Sequence, residues 1–525
     1  MPGLKHSGGA RDEDRNDGFA ELNLAALVPQ FPEVSFHTTA ELAPRTFAGL
    51  QWRARNAVRE LLTRPYRQLL ILCGCEGTDQ LLVAADLVKE VSKITPRLFR
   101  APGRAQFFLT GQESLFGSGG CVILNAAVLT SHPKWLPQFE ASLTAQRALK
   151  VILCGDATEL EVLNALWPHG EKALYTDIVS YFPSESGPEL LGGLMASWAS
   201  RYQLPAFSDD AVKLLCLYAC RLSGDRRWLK LSVARILNLV REAAAMSSGR
   251  SASLRSVLKA IAAEDFRLNF PGKNELRDYR DQQIFIDTKG RAIGQINGLS
   301  VVETAGTLYE YGDPVRVTAA VRAGGDGEVL DIERKAELAG EIHAKATMIA
   351  SGYLARVFGS SQPLPVSVSL AFEQSYSEVD GDSASLAALC AVLSALSSLP
   401  ARQDLAVTGA VDQCGNVLPV GGLNEKIEGF YRICRLQGFS GTQGVIIPEV
   451  CAPQLVLRPA VLNAVRNGNF HIYTVRTVAS ALSLLTGCDW GDCETENTIC
   501  WHIAARLAST GTGREQKSWW RIWQH

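Results

Sequence analysis

Two side chains in the C-terminal half of this 525-residue chain have the chemistry to work on one reaction. Ser383 lies in "EVDGDSASLAALCAVLSAL" (378–396), after Gly381-Asp382 and before Ala384-Ser385. The apolar run behind it predicts a helix from close to Ser383 to about Ser398, with Pro400 just beyond. Two readings fit this placement. Ser and Asp are preferred N-caps. A hydroxyl at a helix N-terminus also sees the positive end of the dipole and open backbone N–H groups, which suits a nucleophile beside an oxyanion hole.

An isolated hydroxyl is a weak nucleophile and needs a base. The C-terminal region offers His343, His471 and His502, none in a recognisable triad context. A lysine serves if desolvation takes its pKa down by roughly 2–3 units from about 10.4. Lys426 stands 43 positions after Ser383, in "VLPVGGLNEKIEGFYRICRLQG". Gly421-Gly422 predict a tight turn, Asn424 a cap, and Lys426 the first turn of the next helix. The dipole discourages positive charge there. The alternative is a solvated lysine beside Glu425 and Glu428.

Positioning these groups takes more than one core, and 525 residues imply two to four domains. With 47% apolar and 20% charged residues the chain reads as globular. A net charge of −2 gives no polyanion signature, so nucleic acid is not indicated, although a local basic patch such as "RAPGR" leaves DNA association open. Thirteen cysteines without a Cys-x-x-Cys pair read as reduced thiols, and no metal site is expected. No apolar stretch reaches a membrane span, and the polar N-terminus has no leader-like core, so the expected location is cytoplasmic.

Residues 1–20 read as disordered. A helix at 50–62, buried strands at 69–73, 119–129 and 149–157, and a helix at 79–91 predict a parallel sheet with helices on both faces. Residues 209–263 are helical by pattern. The polar stretch 269–281 marks a boundary; a hairpin about Lys289-Gly290, strands in "DPVRVTAAVRA" and "LPVSVSLAFE", a helix over 333–358 and a further hairpin then make an α+β region. The tail from Trp501 carries four of the ten Trp residues, and packing is the commoner use for it than a membrane surface.

The serine segment, a strand ending in Thr408-Gly409, and a hairpin leading to Gly-Gly-x-x-x-Lys together resemble the Ser–Lys dyad of Lon proteases, closest to the LonB-type branch. The resemblance runs over roughly 275–487, through "DIERKAELAGEIHAKA", "FEQSYSEVDGDSAS" and "AVTGAVDQCGNVLPVGGLNEKIEGF". It implies Ser383 as nucleophile, Lys426 as base and then acid, and Thr408 bonded to the lysine. Asp380, Asp382 and Ala384 would be supporting positions, with Asp382 where the family usually has Pro, and the Ser383 N–H with neighbours would hold the oxyanion. Glu373 and His343 fall in motifs of that branch without a firm role. Lon proteases join this domain to an AAA+ ATPase, yet here "CGCEGTDQ" replaces the phosphate loop: Gly74 and Gly77 remain, but Thr78 and Asp79 stand where Lys and Ser/Thr belong. The strand "CVILNAA" ends in Asn125-Ala126 instead of an acidic pair.

The implied organisation is an N-terminal extension (1–48), a degenerate AAA+-like α/β domain (49–200), a helical lid (201–268), an α+β Lon-type proteolytic domain (269–488) and a Trp-rich tail (489–525). The implied function is an ATP-independent serine endopeptidase acting on loosely folded polypeptides, without a cofactor, as a homohexamer with its sites inside a chamber. A silent scaffold and an ATP-dependent protease with a non-standard nucleotide site are the alternatives.

Overall fold

A computed structural model describes residues 18–108, 115–116, 120–167, 173–247, 251–304, 306–307, 309–325, 329–335, 340–359, 364–374 and 381–510. The chain divides into two compact units, Gln30–Asp265 and a second one formed by Met1–Pro29 with Phe266–His525. The second unit begins with a short strand, β1 (Phe19–Glu21), at residues where the sequence predicted disorder to continue.

In the unit Gln30–Asp265, helix α1 (Trp52–Thr63) precedes strand β2 (Leu69–Cys73), whose LLILC run is buried along nearly its whole length. Helix α2 (Gln80–Val91) and strands β3 (Arg97–Phe99), β4 (Gly120–Asn125), β5 (Leu149–Gly155) and β6 (Leu174–Asp177) follow. The five strands pair in parallel in the order β3-β4-β5-β2-β6. Apolar runs with no polar alternation are what a sheet covered on both faces requires. The strand predicted over 119–129 stops at Asn125, and Ala127–Ser131 turn helical because the Asn125 side chain accepts the Ala127 N–H at 2.9 Å. Helices α3 (Asp209–Ser223), α4 (Val233–Ala245) and α5 (Leu254–Leu268) follow as the pattern predicted.

The polar boundary at 269–281 is instead a helix, α6 (Phe270–Arg280), started by Pro271 in its first turn and anchored by buried Gly272 and Tyr279. The hairpin about Lys289-Gly290 does not form; the long hairpin pairs β7 (Gln295–Glu303) with β8 (Glu310–Ala323), so its turn lies about fifteen residues later. Residues 282–290 instead form a loop with bends at both ends, held by side chains such as Asn297, whose amide donates to Asp287 O at 2.8 Å. Within the predicted helix at 333–358 the structure has Ile332–Lys335, directly after strand β9 (Val329–Asp331), and then α7 (Glu341–Phe358).

Strand β10 (Val366–Glu373), helix α8 (Ser385–Ser397), strand β11 (Leu405–Val407), helix α9 (Leu423–Gln437) and strands β12 (Gly444–Pro448) and β13 (His471–Val475) complete the frame. Strands β1 and β7 to β13 form one eight-stranded mixed sheet, β1-β13-β12-β11-β7-β8-β10-β9. Its two faces carry separate cores. Leu405 and Val407 pack with α8, whereas Ala406 between them packs with Ile427 and Phe430 of α9. This is the period-2 alternation of a strand buried on both sides.

The end segments are not apart from this unit. β1 pairs antiparallel with β13, and a last helix, α10 (Ile499–Thr510), lays Ile499, Ile503 and Leu507 into the α8 core. Apolar residues at that spacing bury one helix face, which is why 489–510 pack rather than trail. Trp519, Trp520 and Trp523 lie outside the described residues.

Candidate active site

Helices α8 and α9 cover opposite faces of the sheet, and the N-terminus of α8 is bonded to the carboxyl end of β11. Thr408 directly follows that strand and is fully buried. Its Oγ1 donates to the Ser383 carbonyl at 3.2 Å, and the Gly409 N–H donates to the same oxygen at 2.9 Å. The Leu386 N–H answers by donating to Gly409 O at 3.0 Å. The backbone on either side of Ser383 is thereby stitched to the strand end.

The helix itself begins at Ser385, two residues later than the serine suggested, with Ala384 at the cap position. Ser385 fixes the turn: its Oγ donates to Asp382 O at 2.7 Å and accepts the Val411 N–H at 3.1 Å. Ser385 therefore ties the turn to Asp382 and Val411, while the helix itself has no side-chain cap. Asp380 lies outside the described residues.

Lys426 sits in the first turn of α9, its N–H bonded to Gly422 O at 2.9 Å. The turn before it uses Gly422 at φ 65°, where a Cβ would come within 2.5 Å of Val301. Asn424 does not cap the helix. Its side chain is buried and crosses to Val456, accepting that N–H at 2.7 Å. The Lys426 side chain is only 3% exposed, and burial lowers its pKa to about 8, partly offset by the Asp382 carboxylate and the Cys451 thiol nearby. Desolvation is the largest cause, the one the sequence reading required of a lysine base. At pH 7 roughly a tenth of such a lysine is uncharged.

The structure thus brings Ser383 and Thr408 together at one strand end, and the charge of the neighbouring Asp382 reaches Lys426. Thr408 differs in detail from the implied role, since the hydrogen bond its hydroxyl donates goes to Ser383 O. Sequence reasoning missed Ser385 and Cys451, neither of which has a motif of its own. Thr318 Oγ1 donates to Glu373 at 2.7 Å, on the sheet.

The loop at 74–79, in the other unit, is bonded to its own residues, to the end of β5 and to the start of α4. Gly74 N–H bonds Gly155 O at 2.7 Å, Gly77 O accepts the Ala234 N–H at 2.9 Å, and Thr78 N–H bonds Cys75 O at 3.2 Å. Asp79 is the N-cap of α2, accepting the Leu82 N–H at 3.2 Å, while its second oxygen pairs with Arg100. A carboxylate therefore occupies the helix N-terminus that a phosphate would need. Among the described residues no three His, Cys, Asp or Glu side chains gather as a metal site, and no helix is long and apolar enough to cross a membrane.

Comparison with known proteins gives two family matches. Residues 273–484 match the Lon protease (S16) C-terminal proteolytic domain, and residues 206–267 match the archaeal LonB AAA+ ATPase LID domain. The chain is 41% identical over 384 residues to a Lon protease homolog of Escherichia coli (strain K12), covering 71% of this chain and 65% of that protein. A homolog of the same name in Haemophilus influenzae is 38% identical over 387 residues, covering 72% and 63%. An archaeal Lon protease of Thermococcus kodakarensis is 29% identical over 290 residues, covering 54% and 42%. The match thus spans under two thirds of each of these relatives.

Proposed function

We propose, from the premise that the chain belongs to the Lon protease family, that it is a serine endopeptidase cutting loosely folded polypeptides with Ser383 and Lys426. The carrying observation is a lysine buried in the first turn of α9, whose charge burial disfavours and which the charge of Asp382 reaches, together with a serine whose backbone is anchored to the end of β11. In this reading neutral Lys426 takes the Ser383 proton as Oγ attacks the scissile carbonyl, then returns it to the leaving amine; water hydrolyses the acyl ester by the reverse route. The N–H groups of Ser385 and Leu386 already bond Asp382 O and Gly409 O. The Ser383 and Ala384 N–H groups are therefore the oxyanion donors. Thr408 holds the serine backbone and still has lone pairs to accept from Lys426.

Cleavage proceeds without nucleotide hydrolysis. What supports this is Asp79, which caps and charges the helix start, together with Asn125 spent on a local cap. On this reading residues 49–200 form a degenerate AAA+-like domain, 201–268 its lid and 269–488 the proteolytic domain, arranged as a homohexamer in the cytoplasm. The test is digestion of casein by wild type and Ser383→Ala, each with and without MgATP. Cleavage independent of MgATP and absent from the variant is expected. Cleavage that requires MgATP sinks the nucleotide-independent part, and no cleavage under any condition leaves a scaffold.

A further inference from the structure

Helix α9 meets the sheet across the β7–β8 pair, and it does so at glycines. Val301 of β7 stands opposite Gly312 of β8 in their antiparallel register. The turn that starts the helix sets Gly422 on Val301, where a Cβ would come within 2.5 Å. One turn on, the helix backbone meets Gly312: a Cβ there would lie 2.0 Å from Glu425 O and 2.8 Å from the Lys426 Cα. The contact is reciprocal, since a Cβ on Gly429 of α9 would lie 2.3 Å from Gly312 O. A side chain at either position must therefore part the helix from the strand. Alanine suits a helix interior better than glycine, so what Gly429 supplies is the close approach.

Arg432, on the same helix, pins this crossing. Its Nη2 donates to Gly312 O at 3.0 Å, the same carbonyl that Gly429 faces. Its guanidinium lies 5.7 Å from the Tyr311 ring centre, and a Cβ on Gly272 of α6 would lie 3.0 Å from its Nη1. A planar group fits between a ring and a backbone in this way, and an ammonium does not. The charged neighbours of Lys426 are distinct from the crossing. Asp382 and Cys451 act on it from outside α9, and Glu425 and Glu428 share its helix, the latter paired with Arg458 at 3.0 Å. The polar groups that flank Gly312 turn to α6: Tyr311 OH donates to Glu275 at 3.5 Å, and the Asp313 carboxylate accepts from Tyr279 OH. A substitution at Gly429 alters none of these charges.

We propose that the Gly312–Gly429 crossing, pinned by Arg432, seats Lys426 at the depth where its amine is kept from water, and so makes this lysine fit to act as a base. The inference rests on the peptidase reading for its consequence in catalysis, but the seat itself does not. Gly312, Gly429 and Arg432 are positioning residues, since none touches the reacting atoms.

The experiment reads Lys426 directly. In a Ser383→Ala background the full chain is pulsed with acetic anhydride from pH 6 to 11, and Lys426 acetylation is followed by mass spectrometry. With both glycines in place the labelling midpoint is expected near pH 8. Gly429→Ala lifts α9 from β8, lets water reach the ammonium and favours the charged form. The midpoint should then rise by about one pH unit, leaving about tenfold less neutral amine at pH 7. Arg432→Lys keeps the charge but not the flat group held between Gly272 and Tyr311, and should raise the midpoint about half as far; it carries the test should Gly429→Ala not fold. In the active chain, Gly429→Ala lowers kcat at pH 7 about tenfold, leaves KM within about twofold, and regains most of the wild-type rate above about pH 9. A variant that is merely less stable gains nothing from alkali. A midpoint within about 0.3 pH unit of wild type in folded Gly429→Ala, or in Arg432→Lys where only that variant folds, overturns the seat. A shifted midpoint in a chain that never cleaves casein sustains the seat and removes the peptidase reading; cleavage with an unmoved midpoint does the reverse.

Discussion

Two helix starts in this chain look alike in sequence and differ in chemistry. Both α2 and α8 follow a glycine-bearing loop with an aspartate in it, and both present a helix N-terminus to what comes before. At α2 the aspartate turns inward to the helix: Asp79 accepts the Leu82 N–H and pairs with Arg100. At α8 the cap position is Ala384, which offers no side-chain acceptor, and Asp382 is exposed, its charge reaching Lys426 instead. One N-terminus is capped by an aspartate side chain, and the other has no side-chain cap. The difference teaches that a loop of the right length and glycine content is not a site until its nearest polar side chain is accounted for.

The largest test of this contrast removes the hydroxyl at α8. Ser383→Ala is expected to lower casein cleavage at least about 10³-fold while circular dichroism is unchanged; retained cleavage breaks the contrast outright. Lys426→Met should cost activity on the same scale and, unlike most active-site changes, stabilise the protein. The folded pKa of about 8 lies below the unfolded value of about 10.4, so the charged lysine disfavours folding below pH 8. Urea unfolding of Lys426→Met at pH 7 should show a gain on the order of 2–3 kcal/mol that shrinks toward pH 10. By the same sign, wild-type cleavage rises with pH up to about 8, which a pH-rate profile reads.

Thr408→Val separates anchoring from chemistry. It removes the hydroxyl held against Ser383 O and should lower kcat about tenfold to a hundredfold with KM little changed. The smallest effect belongs to the other helix. Asp79→Ala deletes a cap and an exposed ion pair, so thermal unfolding should report a loss of about 1 kcal/mol. Casein cleavage should stay within about twofold; a gain of MgATP turnover in Asp79→Ala would place the silencing of that loop in this one carboxylate.

The sequence made legible what one segment decides for itself. The unbroken apolar run of β2, the helix of α8 and the Gly-Gly turn before Lys426 each follow from local pattern, although α8 starts two residues later than that pattern put it. What failed was decided by distant partners. Asn424 has the type of a cap, but Val456 and Gln454 claim its side chain from thirty residues away. The stretch 269–281 reads as a polar linker, yet Tyr279 finds Asp313 across the sheet and makes it a helix with one buried side. The hairpin was placed at Lys289-Gly290 because glycine marks turns, while the register of β7 against β8 is set by their own alternation. The signal that was available and unused is Gly312, an isolated glycine inside a strand, which often marks a close backbone approach.

Strand β1 carries a consequence for biosynthesis. Its three residues close the edge of the sheet by pairing with Tyr473–Val475, so the earliest described segment waits for one of the last. A ribosome delivers Gln30–Asp265 complete before any of α8 or α9 exists. Ser383 and Lys426 consequently enter the fold only after the whole of Gln30–Asp265 has been made, and the β1 pairing with Tyr473–Val475 follows later still.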